Sequence, residues 1–146
     1  MESEYELLLL ENQVCFPTYA VANKILRRYQ PLLKELDLTY TQYITMMVLW
    51  EKETVNEKDL VNALYLKANT LTDLLGKLKR KGYVDILKDE KDRRNIIISL
   101  TDEGRKLKDR AVDVPKTLIA ERWLTDEEVE IFKKLLYKLL KGDWGK

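Results

Sequence analysis

The chain has one cysteine, Cys15, and no histidine among its 146 residues. Ser-His-Asp and Cys-His catalytic sets need a histidine, and a structural zinc site needs several cysteine or histidine ligands, so the sequence excludes these sites. It also has no glycine-rich phosphate-binding loop. We therefore expect no metal and no cofactor. The distinctive chemistry left is that of a thiol, whose thiolate form attacks oxidants.

The surroundings of Cys15 set the conditions for that chemistry. No Lys or Arg lies within seven residues of it, so a thiolate needs hydrogen bonds, a helix N-terminus or a charge from elsewhere in the fold. Tyr19 shares a helix face with Cys15 if the helix is continuous. Tyr29 lies ~21 Å along such a helix at ~1.5 Å per residue, so it contacts a cysteine only if that cysteine belongs to a partner subunit. The alternative is that Cys15 is a small buried hydrophobic residue.

Apolar spacing predicts a helix over residues 12–29, with Pro17 in its first turn. We expect Pro31 to end it and residues 32–36 to form a short second helix. The next helix is predicted to begin at 39–42 and to continue to Trp50. The predicted core includes Ile44, Met47, Val48, Leu60 and Leu64.

The middle of the chain predicts two helices joined by a connector over residues 63–67. The second helix, 69–81, is stopped by Gly82 and has a buried leucine stripe. Its other face and its start carry side chains that suit base edges and phosphates. These candidates are Lys67, Asn69, Thr70, Thr72, Asp73, Lys77 and Arg80. Alone, this run is also compatible with an ordinary solvated helix face.

Two predicted strands, 83–87 and 95–100, follow and flank the charged loop 88–94. Lys91, Arg93 and Arg94 are DNA-binding candidates, because an arginine at the tip of a β-ribbon suits a narrow, electronegative minor groove. Asp92 is placed to hold a neighbouring guanidinium in a fixed direction. Helix, turn, helix and basic hairpin together favour a winged helix-turn-helix over a generic charged turn.

The charge distribution agrees with an anionic partner. The net charge is +1, but residues 77–110 carry 12 Lys or Arg against 7 Asp or Glu. Both end regions are acidic. No apolar run approaches the ~20 residues that span a membrane, and 7–10 is too short for a signal segment. We expect a cytoplasmic protein with no membrane partner.

Two further helices are predicted near the end of the chain. Thr101 starts one that continues to Arg110 or Leu118 and is kinked by Pro115. The last begins at Thr125 with a capping box. It carries a heptad-like apolar stripe of Val129, Phe132, Leu136 and Leu139. This stripe packs either on the chain's own core or on a partner subunit.

The wing Asp92-Arg93-Arg94, with 97–101 and Gly104 after it, resembles the MarR family of bacterial transcriptional regulators. Within that family the chain is similar to the one-cysteine organic hydroperoxide resistance repressors, the OhrR group. That closer resemblance is carried by residues 10–16, Tyr19, Tyr29, 39–43, 65–66 and 70–72.

The resemblance implies a mainly α fold with a small β-hairpin wing. It implies one domain over 1–146, with a winged helix-turn-helix lobe at 41–101. Helices in 1–36 and 102–146 would form an intertwined homodimer.

The resemblance also implies repression by binding double-stranded operator DNA, with release when an organic hydroperoxide oxidises Cys15. By matching position, Cys15 is the sensor, Tyr29 and Tyr40 hydrogen-bond it, and Tyr19 and Phe16 lie nearby. Arg94 is the wing arginine, with Asp92 as its partner. With no second cysteine, the sulfenic acid is left to react with a low-molecular-weight thiol, to cyclise, to over-oxidise, or to bridge two subunits.

Two other functions remain open from the sequence. In the first, a small phenolic ligand binds between the DNA lobe and the dimer helices, and Cys15 is passive. In the second, the protein is a peroxidase that consumes hydroperoxide at Cys15. The basic wing argues against the peroxidase, so we expect a regulator and not an enzyme.

Overall fold

The computed structural model describes residues 3–145, which fall into two compact units, Met1–Val114 and Pro115–Lys146. The fold is mainly helical with a small antiparallel sheet, which confirms the predicted winged-helix class. Two short 3-10 helices, Glu4–Leu8 and Leu10–Asn12, come first. They are followed by α1 (Cys15–Lys34), α2 (Tyr40–Lys52), β1 (Thr54–Asn56), α3 (Glu57–Leu64), α4 (Ala68–Arg80), β2 (Val84–Lys88), β3 (Ile96–Leu100), α5 (Asp102–Ala111), α6 (Asp113–Glu121) and α7 (Asp126–Lys141). The division into dimer helices and a DNA lobe stays a prediction.

Helix α1 is longer than the sequence pattern predicts. It begins at Cys15, with Pro17 in the first turn, where proline has no hydrogen bond to lose. It then continues through Pro31 to Lys34, so the prediction that Pro31 ends the helix and that 32–36 form a separate one is wrong. Proline removes one backbone hydrogen bond there, but Leu33 beyond it is only 2% exposed, and its burial keeps the last turn in place.

Local capping signals define the start of α2 and α3. The Thr39 hydroxyl accepts from the Gln42 amide, and the Gln42 side chain accepts from the Thr39 amide, which is a full capping box. The Asn56 side chain caps α3 by accepting from the Asp59 amide at 2.8 Å. These caps agree with the helix starts predicted from the sequence.

The sheet has three strands in the order β1-β3-β2, all antiparallel. The hairpin β2–β3 agrees with the prediction, whereas β1 is an addition that the sequence did not indicate. Ile98 pairs with Val55 on one side and with Ile86 on the other, and it is fully buried. The wing is therefore tied to the start of α3 by the short strand β1.

Helix α4 buries the predicted leucine stripe completely. Leu71, Leu74, Leu75 and Leu78 are all 5% exposed or less. Gly82 follows the helix at φ 82°, and its amide donates to the Lys79 carbonyl. A left-handed backbone conformation is little strained for glycine, and here it turns the chain towards β2.

The predicted core contains one error. Leu60 is fully buried, and Ile44, Val48 and Leu64 are half-buried, but Met47 is 47% exposed. The face of α2 that packs inwards carries Tyr43, Met46 and Leu49 instead. Met47 lies one residue, or ~100° of helix rotation, away from Met46 and therefore points off that face.

The helix predicted to follow Thr101 breaks earlier than expected. Helix α5 ends at Ala111 and α6 begins at Asp113, so the break precedes Pro115. A proline ring clashes with the carbonyl four residues before it, which here belongs to Ala111. The kink predicted at Pro115 is therefore displaced by one turn.

Helix α7 begins at the capping box of Thr125 and Glu128, as predicted. None of its described residues is buried. Phe132, Leu135 and Leu139 are each at least 44% exposed. Whether this stripe packs on the chain's own core or on a partner subunit stays a prediction. None of the helices within residues 3–145 is long and apolar enough to cross a membrane.

We expect Gly104→Ala to destabilise the protein by about 3 kcal/mol, because the new methyl group would overlap the Tyr83 carbonyl oxygen. Gly76→Ala is the matched control. Its methyl would lie 3.7 Å from Arg80, and in a helix interior it should stabilise by ~0.5–1 kcal/mol. Chemical denaturation of both variants measures the difference. Equal stabilities would contradict the close packing of α5 against the start of β2.

Candidate redox site and nucleic-acid interface

Cys15 is the first residue of α1, and it is exposed. Within the single chain, Cys15 is therefore not part of the buried core. The segment before it is held by side-chain hydrogen bonds, in which the Gln13 amide donates to the carbonyls of Leu7 at 2.6 Å and Leu9 at 2.9 Å. The thiol thus lies at a fixed helix N-terminus, where free backbone amides favour an anion.

Two of the predicted supporting residues lie beside Cys15 on α1. Tyr19 is one turn along the helix and 67% exposed. Phe16 is 44% exposed and lines a shallow apolar cavity of about 600 Å³ together with Leu9, Leu10 and Pro17. The thiol therefore borders an apolar surface.

The other two supporting residues, Tyr29 and Tyr40, lie in an aromatic cluster between α1 and α2. Their ring centroids are 4.9 Å apart in an edge-to-face arrangement. Tyr43 completes the cluster, with its ring 5.9 Å from that of Tyr29 and 6.4 Å from that of Tyr40. Tyr43 is not among the residues that the sequence predicts for this site. Its spacing of three from Tyr40, which places both on one helix face, was the available signal.

Burial keeps these phenols protonated. It raises the pKa of Tyr29 to about 12, with smaller contributions from Tyr40 and Tyr43. Burial likewise raises the pKa of Tyr40 and of Tyr43. A tyrosine hydroxyl is protonated at neutral pH even at its ordinary pKa, and burial extends this to more alkaline pH, so the three hydroxyls have a proton to donate to a thiolate or a sulfenic oxygen.

The structure does not bring Cys15 and Tyr29 together within one chain. Both lie on the unbroken helix α1, and their separation of fourteen residues corresponds to ~21 Å. The sequence analysis predicted this separation if the helix were continuous, which it is. If Tyr29 contacts a Cys15, that cysteine must therefore belong to a second copy of the chain.

The tyrosine cluster is connected to α4 by polar contacts. Gln42, between the two α2 tyrosines, is 4% exposed, and its side-chain oxygen accepts from Lys81 at 3.3 Å. Lys81 follows the last residue of α4 and also donates to the Asp37 carbonyl in the turn between α1 and α2. The end of α4 is thereby attached to the corner that carries the cluster.

The seven predicted DNA-facing residues of α4 and its start are all exposed. Several have partners within the chain. The Asn69 side chain accepts from the Thr70 amide at 2.9 Å, and Asp73 pairs with Lys77 at 3.3 Å. Such an exposed pair is weak, since water screens it, so Lys77 remains available to a phosphate. Lys67 is the N-cap residue and makes no side-chain cap.

The wing loop is ordered by its own carboxylates. The Asp92 carboxylate accepts from Arg94 Nε at 3.1 Å and from Nη2 at 3.4 Å, as well as from the Arg94 amide. These bonds hold the pKa of Asp92 below its ordinary value, with a smaller contribution from Lys58. Lys91 and Arg93 are exposed beside this pair. The loop therefore presents a guanidinium paired with Asp92, together with two further exposed cations.

A cavity of about 690 Å³ lies between α1, α2 and α4. Four cationic side chains border it, namely Lys34, Lys77, Arg80 and Lys81, together with the ring of Tyr40. Its walls therefore combine positive charge with apolar surface. By contrast, within residues 3–145 no group of three or more acidic, cysteine or histidine side chains is arranged to hold a metal ion.

The fold and these two sites define a winged-helix regulator, and comparison with known proteins agrees. A family model described as "Transcriptional regulator SarA/Rot" matches residues 27–111. The organic hydroperoxide resistance transcriptional regulator of Bacillus subtilis (strain 168) is 39% identical over 140 residues, which cover 96% of this chain and 95% of the relative. The regulator SarZ of Staphylococcus epidermidis is 38% identical over 121 residues, or 83% of this chain and 82% of SarZ.

A solved structure supports the same class. The crystal structure of overoxidised AbfR bound to DNA superposes with a TM-score of 0.79 at 31% identity, covering 94% of this chain and 97% of AbfR. The chain belongs to the MarR/SarA family of transcriptional regulators. Its relatives are regulators and not enzymes, which sets the peroxidase alternative aside.

We expect the Tyr29→Phe variant to lose less unfolding free energy at alkaline pH than the wild type. In the wild type the unfolded chain loses the Tyr29 proton near pH 10, whereas the folded chain holds it to about 12. The contribution of Tyr29 to the unfolding free energy is therefore complete below pH 10 and is lost as the pH rises towards 12. The unfolding free energy should fall more steeply in the wild type over this range, by less than ~1.4 kcal/mol per pH unit since the ring is half-exposed. Parallel slopes in denaturant titrations would contradict the buried cluster.

Proposed function

We propose that this protein is a homodimeric repressor that binds double-stranded operator DNA and releases it when an organic hydroperoxide oxidises Cys15. The observation that carries this proposal is the exposed thiol at the N-terminus of α1. It stands in a chain 39% identical, over nearly its whole length, to a regulator named for organic hydroperoxide resistance.

The DNA-binding part of the proposal is supported by α4 and the wing. The exposed face of α4 carries Asn, Thr, Lys and Arg side chains of the lengths that reach bases and phosphates. The paired Asp92 holds the Arg94 guanidinium in one direction beyond the loop, which suits entry into a minor groove. The AbfR structure with TM-score 0.79 is a DNA complex.

Dimerisation is supported by two apolar surfaces. Leu7, Leu8 and Leu10 in the N-terminal segment are each at least 58% exposed. Ile131 and Leu135 of α7 are similarly exposed, at 60% and 54%. Contiguous apolar surface of this kind marks a protein interface. A second copy covers these surfaces and, with its α1 antiparallel, places its Tyr29 and Tyr40 near Cys15.

The chemistry needs no group beyond the thiol, the oxidant and a small thiol. The Cys15 thiolate attacks one peroxide oxygen, the O–O bond breaks, and the alkoxide leaves and takes a proton to become an alcohol. The sulfenic acid then condenses with a low-molecular-weight thiol, which forms a mixed disulfide and releases water. The protonated phenols of the partner subunit donate hydrogen bonds to the sulfur or its oxygen.

Release follows from added bulk at a crowded interface. A mixed disulfide at Cys15 displaces the opposing tyrosine cluster, which lies between α1 and α2. Gln42 and Lys81 attach this corner to the end of α4, so its movement shifts the recognition helix. Two recognition helices must remain one DNA turn apart, ~34 Å, to bind successive major grooves. A displacement of a few ångströms in each subunit therefore lowers the affinity.

The cavity between α1, α2 and α4 supports a second candidate function. Its four cations and the Tyr40 ring suit a small aromatic acid, with the carboxylate on the cations and the ring on Tyr40. In that case a phenolic acid releases the DNA and Cys15 is passive.

Replacing the sensor separates the two functions. The probe is a duplex selected by the reduced protein from a random-sequence library. Cumene hydroperoxide should weaken wild-type binding at least tenfold in a gel-shift titration, whereas Cys15→Ser should bind equally well and stay bound. Met47→Leu is the matched control, since Met47 is an exposed sulfur and its loss should leave release intact.

Release of Cys15→Ser by cumene hydroperoxide would show that the cysteine is not the sensor. If 4-hydroxybenzoate releases both proteins and the peroxide releases neither, the second candidate function is correct instead. Failure of the reduced wild type to enrich any sequence would contradict operator binding itself.

A further inference from the structure

An acidic residue lies on the surface that would face DNA. Glu57, the first residue of α3, is half-buried, and its Oε1 accepts a hydrogen bond of 2.8 Å from the Thr72 hydroxyl. Thr72 lies in the second turn of α4 and is exposed. Both residues border a cavity of about 490 Å³ together with Lys58 and the wing residue Arg94. A carboxylate here opposes phosphate binding, so its presence needs another reason.

The contact fixes which part of Thr72 is free. Its oxygen also lies 3.0 Å from the Ala68 carbonyl, so the hydroxyl is held between two acceptors. A threonine hydroxyl has one proton, and here that proton is engaged within the protein. The hydroxyl therefore has no proton to donate to a base or a phosphate. The methyl group and the acceptor lone pairs of the oxygen remain on this exposed side chain, and the methyl is its apolar part.

A free methyl group on a recognition helix has one distinctive partner among the bases. Thymine carries a C5 methyl in the major groove, and apolar contacts with it distinguish thymine from the other three bases. Among the neighbouring side chains on the same face, Asn69 accepts from the Thr70 amide through its side-chain oxygen, and Asp73 forms an exposed pair with Lys77.

We propose, resting on the operator binding proposed above, that Glu57 is a positioning residue for sequence readout. It holds the Thr72 hydroxyl, so that Thr72 presents its methyl to a thymine methyl in each half-site. Glu57 thus weakens non-specific binding through its charge and strengthens discrimination through Thr72. The acidic residue is also favoured in the first turn of α3 by the helix dipole.

The test uses the full-length reduced protein and the duplex it selects, about three helical turns long. Each thymine is replaced in turn by uracil, which keeps base pairing and removes only the C5 methyl. One uracil position in each half-site should weaken wild-type binding about fourfold, as expected for one lost methyl contact. Thr72→Ser should bind the thymine site about fourfold more weakly and be indifferent to that uracil, whereas Thr72→Val should keep the penalty.

Two variants of Glu57 separate positioning from charge. Glu57→Gln keeps a side-chain oxygen for the Thr72 hydroxyl, so the uracil penalty should persist. Glu57→Ala leaves the Ala68 carbonyl as the remaining acceptor, which holds the hydroxyl less firmly, so the penalty should fall. Both remove the negative charge, and both should strengthen binding to a scrambled duplex to a similar extent. A purely structural role for Glu57 would not separate these two variants.

This inference is overturned if Thr72→Ser retains the uracil penalty. It is also overturned if the wild type shows no penalty at any thymine. Neither result affects operator binding itself. Equal penalties in the two Glu57 variants would also overturn the inference. If the reduced protein selects no sequence, the proposed function itself fails, and that result is distinguishable because it precedes the uracil scan.

Discussion

The length and continuity of helix α1 constrain the rest of the sensor. The helix keeps the thiol at one end and a tyrosine cluster towards the other, fourteen residues away. A rigid rod of ~21 Å cannot bend to close that gap. Proline is tolerated at both ends of the helix, at Pro17 because the first turn lacks partners and at Pro31 because Leu33 is buried. One chain therefore holds the thiol and the tyrosine cluster apart, and in the proposed dimer two antiparallel copies would bring them together at two sites.

In the proposed mechanism, the same arrangement would link oxidation of Cys15 to DNA binding through few contacts. The cluster residues Tyr40 and Tyr43 flank Gln42, and Gln42 contacts Lys81 at the end of α4. The corner between α1 and α2 is thus shared by the sensor and the recognition helix. Under this proposal, a change in dimer packing at Cys15 would alter the spacing of the two recognition helices through the same contacts. Coupling of this kind needs a dimer interface with two packing arrangements. The exposed apolar surfaces of the chain are suited to form such an interface.

Most of the fold was predicted from sequence patterns within short stretches of the chain. The leucine stripe of α4, the capping box at Thr125 and the charged hairpin are each encoded in a short stretch of sequence, and the structure contains all three. The failures come from contacts between distant parts of the chain. Strand β1 has three residues and pairs with β3 more than forty residues later, so no local pattern marks it. Pro31 stays helical because of tertiary burial, and Met47 is exposed because neighbouring residues fill the inner face of α2.

The sensor residues stay a prediction, whereas the positions of the candidate side chains in the fold can be compared with the sequence. The spacing of Cys15 and Tyr29 gave the separation that the continuous helix then imposes, whereas Tyr43 and the contact between Glu57 and Thr72 emerge only from packing. The most direct measurement uses heterodimers that pair a Cys15→Ser subunit with a Tyr29→Phe/Tyr40→Phe subunit. A site shared between subunits leaves one cysteine facing two intact tyrosines, so that thiol should react with cumene hydroperoxide at the wild-type rate. A rate equal to that of the double-tyrosine homodimer would show that each cysteine depends on its own chain, and would contradict the shared sensor.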